Sequence, residues 1–258
     1  MREIWFESEG TPLFAVEDGE GTVIVMLHGA LANHQAALPS IAPLGSRYRI
    51  VAPDLRGSGK SRCGDTLSFD RLASDIEALL DTLGVDRAFV GGVSSGTGVA
   101  LRFALQSPDR VLGLILVTPV FAGEELGYTE QQAATFAGMD AVASRAVDEG
   151  IGVLRPLYAN LPEPMQEKAL AMVEGFDPAS VVATSRFVAS GSQPFASDAE
   201  LRSVQPPTLL VRGEDPVHPS EVSDLYAANI PKCTEVAPSA DVATAIGAFC
   251  DEPGHAST

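Results

Sequence analysis

The sequence is poor in the groups that hold metals, staple small folds or grip polyanions. Three cysteines occur in 258 residues, Cys63, Cys233 and Cys250, an odd number with neither CxxC nor Cys/His ligand spacing. That argues against a disulfide framework and a zinc site; we expect no metal and no cofactor, and read the thiols as small apolar fillers. Basic residues are scarce too: 17 Lys and Arg face 34 Asp and Glu, for a formal charge of −17. Phosphate backbones and anionic lipid surfaces would be repelled, so neither nucleic acid nor a membrane is expected as a partner and a small-molecule substrate or ligand is, with the oligomeric state left open. No apolar run is long enough to cross a bilayer, and the opening residues Met1-Arg2-Glu3-Ile4-Trp5 lack the apolar stretch of a secretory leader, so a cytoplasmic protein is expected. Histidine is rare, at positions 28, 34, 218 and 255.

What is present is a rhythm. Two short alternating segments, 4–7 and 13–17, flank Gly10-Thr11-Pro12 and suit an antiparallel edge hairpin. Continuous apolar runs at 22–27, 48–52, 87–93 and 111–117 read as strands buried on both faces, alternating with helices over 34–44, 70–83 and 96–106. The alternation breaks between 121 and 198, where helices are expected over 130–149, 163–174 and 178–189, and resumes with strands at 207–211 and 234–237 and a helix over 241–250. The fold class is therefore α/β: a mostly parallel sheet with helices on both faces, residues 1–120 and 199–258 forming the core and 121–198 a helical insertion. An excursion at the strand ends is most economically a lid over a cleft.

Gly92-Val93-Ser94-Ser95-Gly96 is a GxSxG pentapeptide between a strand and a helix, the context that the motif requires. The turn is tight enough to strain the serine, and only glycines at the flanking positions avoid collisions. Ser94 would stand exposed at the helix's positive end. His28-Gly29-Ala30-Leu31 closes the neighbouring strand, so the amides of Ala30 and Ser95 can converge on an oxyanion, with His28 bracing the loop. The stretch Asp54-Leu55-Arg56-Gly57-Ser58-Gly59-Lys60-Ser61 fails as a phosphate loop, because Asp54 occupies the place of the first glycine.

Together with Gly213-Glu214-Asp215-Pro216-Val217-His218-Pro219, these motifs resemble the α/β-hydrolase superfamily in its esterase, enol-lactonase and haloperoxidase-like branch, over essentially the whole chain. The resemblance implies about eight strands and a serine, acid, histidine triad in that chain order. It makes Ser94 the nucleophile, Ala30 and Ser95 the oxyanion donors and Asp215 the acid, with Glu214 as the fallback because Gly-Glu-Asp is one residue shorter than the commoner spacing. The family's histidine follows the last strand; here Pro238-Ser239-Ala240 runs straight into the final helix.

The base must then come from elsewhere or be absent. His218 lies three residues after Asp215, between Pro216 and Pro219; His34 follows the oxyanion loop; His255 lies beyond a helix that carries the chain about 15 Å from the strand ends. Two functions follow. Either the protein is a serine hydrolase acting on a small ester, lactone or activated acyl compound, or it is a degenerate hydrolase fold that binds a small apolar ligand or assists a non-hydrolytic step. An imidazole nitrogen within about 3.5 Å of Ser94 Oγ favours the first.

Overall fold

The computed structural model describes residues 1–63, 66–238 and 241–254. One sheet holds the strands β1 (Arg2–Ser8), β2 (Thr11–Asp18), β3 (Val23–Leu27), β4 (Arg49–Pro53), β5 (Ala88–Val93), β6 (Val111–Val117), β7 (Thr208–Val211) and β8 (Cys233–Val236). Their order across the sheet is β1-β2-β4-β3-β5-β6-β7-β8. β1 pairs antiparallel with β2 and β2 with β4; every later pairing is parallel. β3 and β6 are buried along their whole length, as continuous apolar runs should be, while β1 buries alternate residues because one of its faces meets water.

The helices are α1 (His34–Ala37), α2 (Phe69–Thr82), α3 (Gly96–Gln106), α4 (Glu130–Ala143), α5 (Ala146–Glu149), α6 (Met165–Val173), α7 (Pro178–Ala189), α8 (Asp198–Arg202), α9 (Ser220–Asn229) and α10 (Val242–Cys250). α2, α3 and α9 cover one face of the sheet, burying Leu72, Ile76, Val99, Phe103 and Tyr226 against Val25, Leu27, Val90 and Leu114. On the other face Ile246 and Phe249 of α10 join Ala37, Ile41 and Leu44 over Ile24, Met26 and Phe89.

Two expected helices are corrected. The one over 34–44 is a single turn, α1, followed by two 3-10 turns at Leu38–Ser40 and Ala42–Leu44, each with a proline near its start. Pro39 and Pro43 have no amide hydrogen to continue the ladder. The one over 130–149 breaks after Ala143, where the Ser144 amide is shared between Asp140 and Val142 carbonyls and tightens the turn, before α5 restarts. A 3-10 stretch at Ile151–Tyr158, containing Pro156, was not anticipated.

The order of the strands determines where a ligand can sit. From β3 the chain moves to β4 on one side and then crosses to β5 on the other, so the connections leaving β3 and β5 diverge. In a parallel α/β sheet that divergence opens a crevice beyond the carboxyl ends of the two strands. His28 and Gly29 leave β3 at this point, and Ser94 leaves β5. Among the described residues no helix is long and apolar enough to cross a membrane.

Candidate active site

Ser94 sits in the left-handed region at φ 53°. For a residue other than glycine this is strained backbone, costing about 1–3 kcal/mol, and the surroundings must enforce it. They do so from both sides. A Cβ on Gly92 would lie 2.2 Å from the backbone of Gly96, and one on Gly96 would lie 2.6 Å from the carbonyl oxygen of His28. Neither backbone atom has room to give, so the two glycines let β5, α3 and the β3 exit close around the serine. Ser94 N–H donates to Val117 O at 2.9 Å, fixing the corner to β6. The side chain is half-buried.

His218 Nε2 lies 2.9 Å from Ser94 Oγ, and its Nδ1 lies 2.7 Å from Asp215 Oδ2. The two residues occupy the ends of one tight turn: His218 N–H donates to the Asp215 carbonyl at 3.0 Å, with Pro216 second in the turn, where its fixed φ is favoured. Asp215 Oδ1 accepts from the amides of Val217, at 2.8 Å, and His218, at 3.0 Å. One carboxylate oxygen thus fixes the backbone and the other meets the imidazole. Gly213 makes the turn possible, since a Cβ there would lie 2.6 Å from His218 O and 2.7 Å from His218 Cβ. Burial favours the neutral Asp215 carboxyl, but the His218 hydrogen bond and charge and the two amides outweigh it and hold Asp215 below the usual carboxylate range. An ionised carboxylate only accepts, so Nδ1 carries the ring proton and Nε2 turns its lone pair to the serine hydroxyl.

The β3 exit is braced by His28, which is buried and whose Nε2 accepts from Leu55 N–H at 3.0 Å while Nδ1 donates to Gly29 O at 2.7 Å. Burial pushes this imidazole toward its neutral form. Gly29 comes close to Ser94: a Cβ on it would lie 3.3 Å from Ser94 Cβ. Ala30 and Ser95 line one small apolar cleft together with Leu55, Phe69, Val99, Phe121 and Phe187. The Tyr158 hydroxyl donates to Leu31 O, and Leu31 and Ala32 pack in a small core with Leu154, Met172, Val173 and Val181, so the helical insertion holds the loop carrying Ala30.

The remaining candidates lie elsewhere. His34 Nδ1 bonds Asp54 Oδ1 at 2.7 Å, not Ser94. Asp54 also accepts from the amides of His34 and Lys60, each at 2.8 Å, so its own carboxylate fills the amide cradle that a phosphate loop would offer a ligand. Glu214 is exposed and lies 3.7 Å from Arg212, while Asp215 alone meets the imidazole. His255 lies outside the described residues, as do Ser239 and Ala240. Among the described residues no group of three or more His, Cys, Asp or Glu is placed to hold a metal ion. One neighbour of the site had no expectation attached: Gln132, fully buried at the start of α4, whose side chain reaches the carbonyl of Val217 between Asp215 and His218.

Known proteins give this geometry a setting. Over 124 residues the chain is 36% identical to epoxide hydrolase B of Mycobacterium tuberculosis, covering 44% of this chain and 34% of that protein. The chain spans about a third of the length of such curated relatives. Among solved structures it resembles a thermophilic esterase from Thermogutta terrifontis, with TM-score 0.75, 24% identity and coverage of 92% of this chain and 89% of that one. It also resembles the enol-lactonase of Burkholderia xenovorans, with TM-score 0.73, 19% identity and 96% coverage of each. At such identities the likeness is one of fold. The alpha/beta hydrolase fold family profile matches residues 22–242, most of the chain and both strand ends that frame Ser94, and the chain belongs to that family.

Proposed function

We propose that the protein is a serine hydrolase that cleaves a small, uncharged ester, lactone or activated acyl compound through Ser94. The observation that carries this reading is the unbroken relay from Ser94 Oγ through the His218 ring to Asp215, at 2.9 and 2.7 Å. Ser94 Oγ attacks the acyl carbon while Nε2 of His218 takes the hydroxyl proton, and Asp215 holds the ring in the competent tautomer. The carbonyl oxygen, negative in the tetrahedral intermediate, is held by the amides of Ala30 and Ser95. The acyl carbon's bond to the leaving oxygen then breaks as His218 returns the proton to it. Water deacylates the serine by the same steps in reverse. The apolar cleft lined by Phe69, Val99, Phe121 and Phe187 suits an uncharged acyl or alcohol group, and the helices of 121–198 serve as its lid.

The Asp215 side chain is 56% exposed, so water screens its support of the imidazolium, and turnover is expected to be modest. The alternative, ligand binding without covalent catalysis, rests on the absence of a histidine after the last strand, and the His218 Nε2 to Ser94 Oγ distance favours the hydrolase reading over it. A fluorophosphonate probe should label the wild-type protein at Ser94 and leave Ser94→Ala unlabelled, with p-nitrophenyl ester hydrolysis lost in parallel. Wild-type protein that resists the probe at saturating concentration would reject the proposal.

A further inference from the structure

Gln132 belongs to the insertion, yet it touches the turn that bears the base. Its side chain has no exposed surface and its hydrogen-bonding capacity is used in three directions. Oε1 accepts from Thr129 N–H at 3.0 Å, closing the capping box that starts α4. Nε2 donates one hydrogen to Val120 O at 2.9 Å, just beyond β6, and the other to Val217 O at 2.8 Å. Capping needs only the acceptor. A glutamate would cap equally well but, ionised, would turn a bare carboxylate on two carbonyl oxygens. The amide is therefore selected by the two carbonyls, and one of them belongs to Val217, the residue next to His218 in the turn.

We infer that Gln132 is a positioning residue for the catalytic base: it ties α4 to the Asp215–His218 turn, so that His218 faces Ser94 when the insertion is docked on the core. The inference rests on the proposed role of Ser94 and His218. The peptide units of Val217 are held at both ends, its amide by Asp215 Oδ1 and its carbonyl by Gln132. The turn is otherwise exposed at Glu214, Asp215 and Pro216, and among the described residues Gln132 is what bonds it from the insertion. Releasing the carbonyl frees the turn to tip, and a displacement of an ångström at a proton-transfer site costs about a hundredfold in rate.

The test compares Gln132→Leu and Gln132→Glu with Ser185→Ala. Buried Ser185 makes another bond to α4, Oγ to half-buried Asp140 at 2.7 Å, without touching the turn. With a p-nitrophenyl ester, Gln132→Leu is expected to lower kcat by about 10- to 100-fold, with KM within about threefold of wild type. Gln132→Glu, which keeps the cap but turns a carboxylate on the two carbonyls, should lose at least as much as Gln132→Leu. The Nδ1 proton of His218, shared with Asp215, should give a downfield NMR resonance that persists in wild type, Ser94→Ala and Ser185→Ala and broadens or vanishes in Gln132→Leu. Wild-type kcat and resonance in Gln132→Leu, or an equal loss in Ser185→Ala, would overturn the inference. If the wild-type protein is neither labelled nor active, the hydrolase reading fails, and the resonance still decides whether Gln132 holds the turn.

Discussion

At the level of single residues, the site differs from a triad with a buried acid in one quantity, the water around Asp215. Where the acid is buried, replacing it by the amide lowers turnover by about ten-thousandfold. With a half-exposed carboxylate, Asp215→Asn is expected to cost less, about ten- to a thousandfold in kcat, while Glu214→Gln changes it little. His218→Ala removes the proton acceptor itself and should approach the roughly millionfold loss of a triad without its histidine. Steady-state rates of the three variants on one chromogenic ester order them, and a Glu214→Gln loss as large as that of Asp215→Asn would reassign the acid. Gly213→Ala should mimic a loss of the base without touching it, because its Cβ can be accommodated only by moving His218.

Among the elements, what could be read in advance follows from whether the signal is local. β3, β6 and α3 were legible because each is a continuous apolar run or a helix bracketed by its own punctuation: Gly96 opens α3 and Pro108 follows it. The end of α4 was not, since the helix buries Gln132, Phe136 and Ala143 and carries no apolar stripe to mark where it stops. Thr129 and Gln132 have the spacing of a capping box, which marks a helix start but says nothing of a glutamine that also reaches a distant loop. The spacing from Asp215 to His218 was visible, but the direction of the imidazole is set by Gly213, Pro216 and a carbonyl bonded from 85 residues away. α2 offers the prediction at this scale. Its Asp75 takes a two-pronged bond from Arg56 Nε and Nη2, at 2.9 and 2.6 Å, and both side chains are buried. Asp75→Ala leaves a guanidinium unpaired in the core and should lower stability by about 3–5 kcal/mol in urea unfolding; Arg56→Met in the same chain should restore much of it. A double variant as weak as the single one would show that the pair is not what the segment depends on.

For the molecule as a whole, its acidic balance makes low pH the informative stress. Burial favours the neutral form of Asp54, but the His34 side chain, His28 and two amides outweigh it and hold the carboxyl below its ordinary value; Arg49 and Arg2 do the same for buried Glu17. A carboxylate depressed in the folded state contributes stability that is complete above its unfolded pKa and is lost as pH falls through the folded one. Buried, neutral His28 takes up a proton only on unfolding, so the thermal midpoint should begin to fall below about pH 6.5 and drop further below about 4, where Asp54→Asn should flatten the carboxylate part of the drop. An unchanged acid slope in Asp54→Asn would place the sensitivity elsewhere. The turn from Gly213 to Pro219 has a consequence on the same scale. Proton donor support and proton acceptor usually arrive from separate stretches of chain and must be kept in register by everything between them. Here a seven-residue cassette carries both proposed partners, so it can be grafted or drift as one piece, and a single residue inserted inside it should abolish the proposed activity.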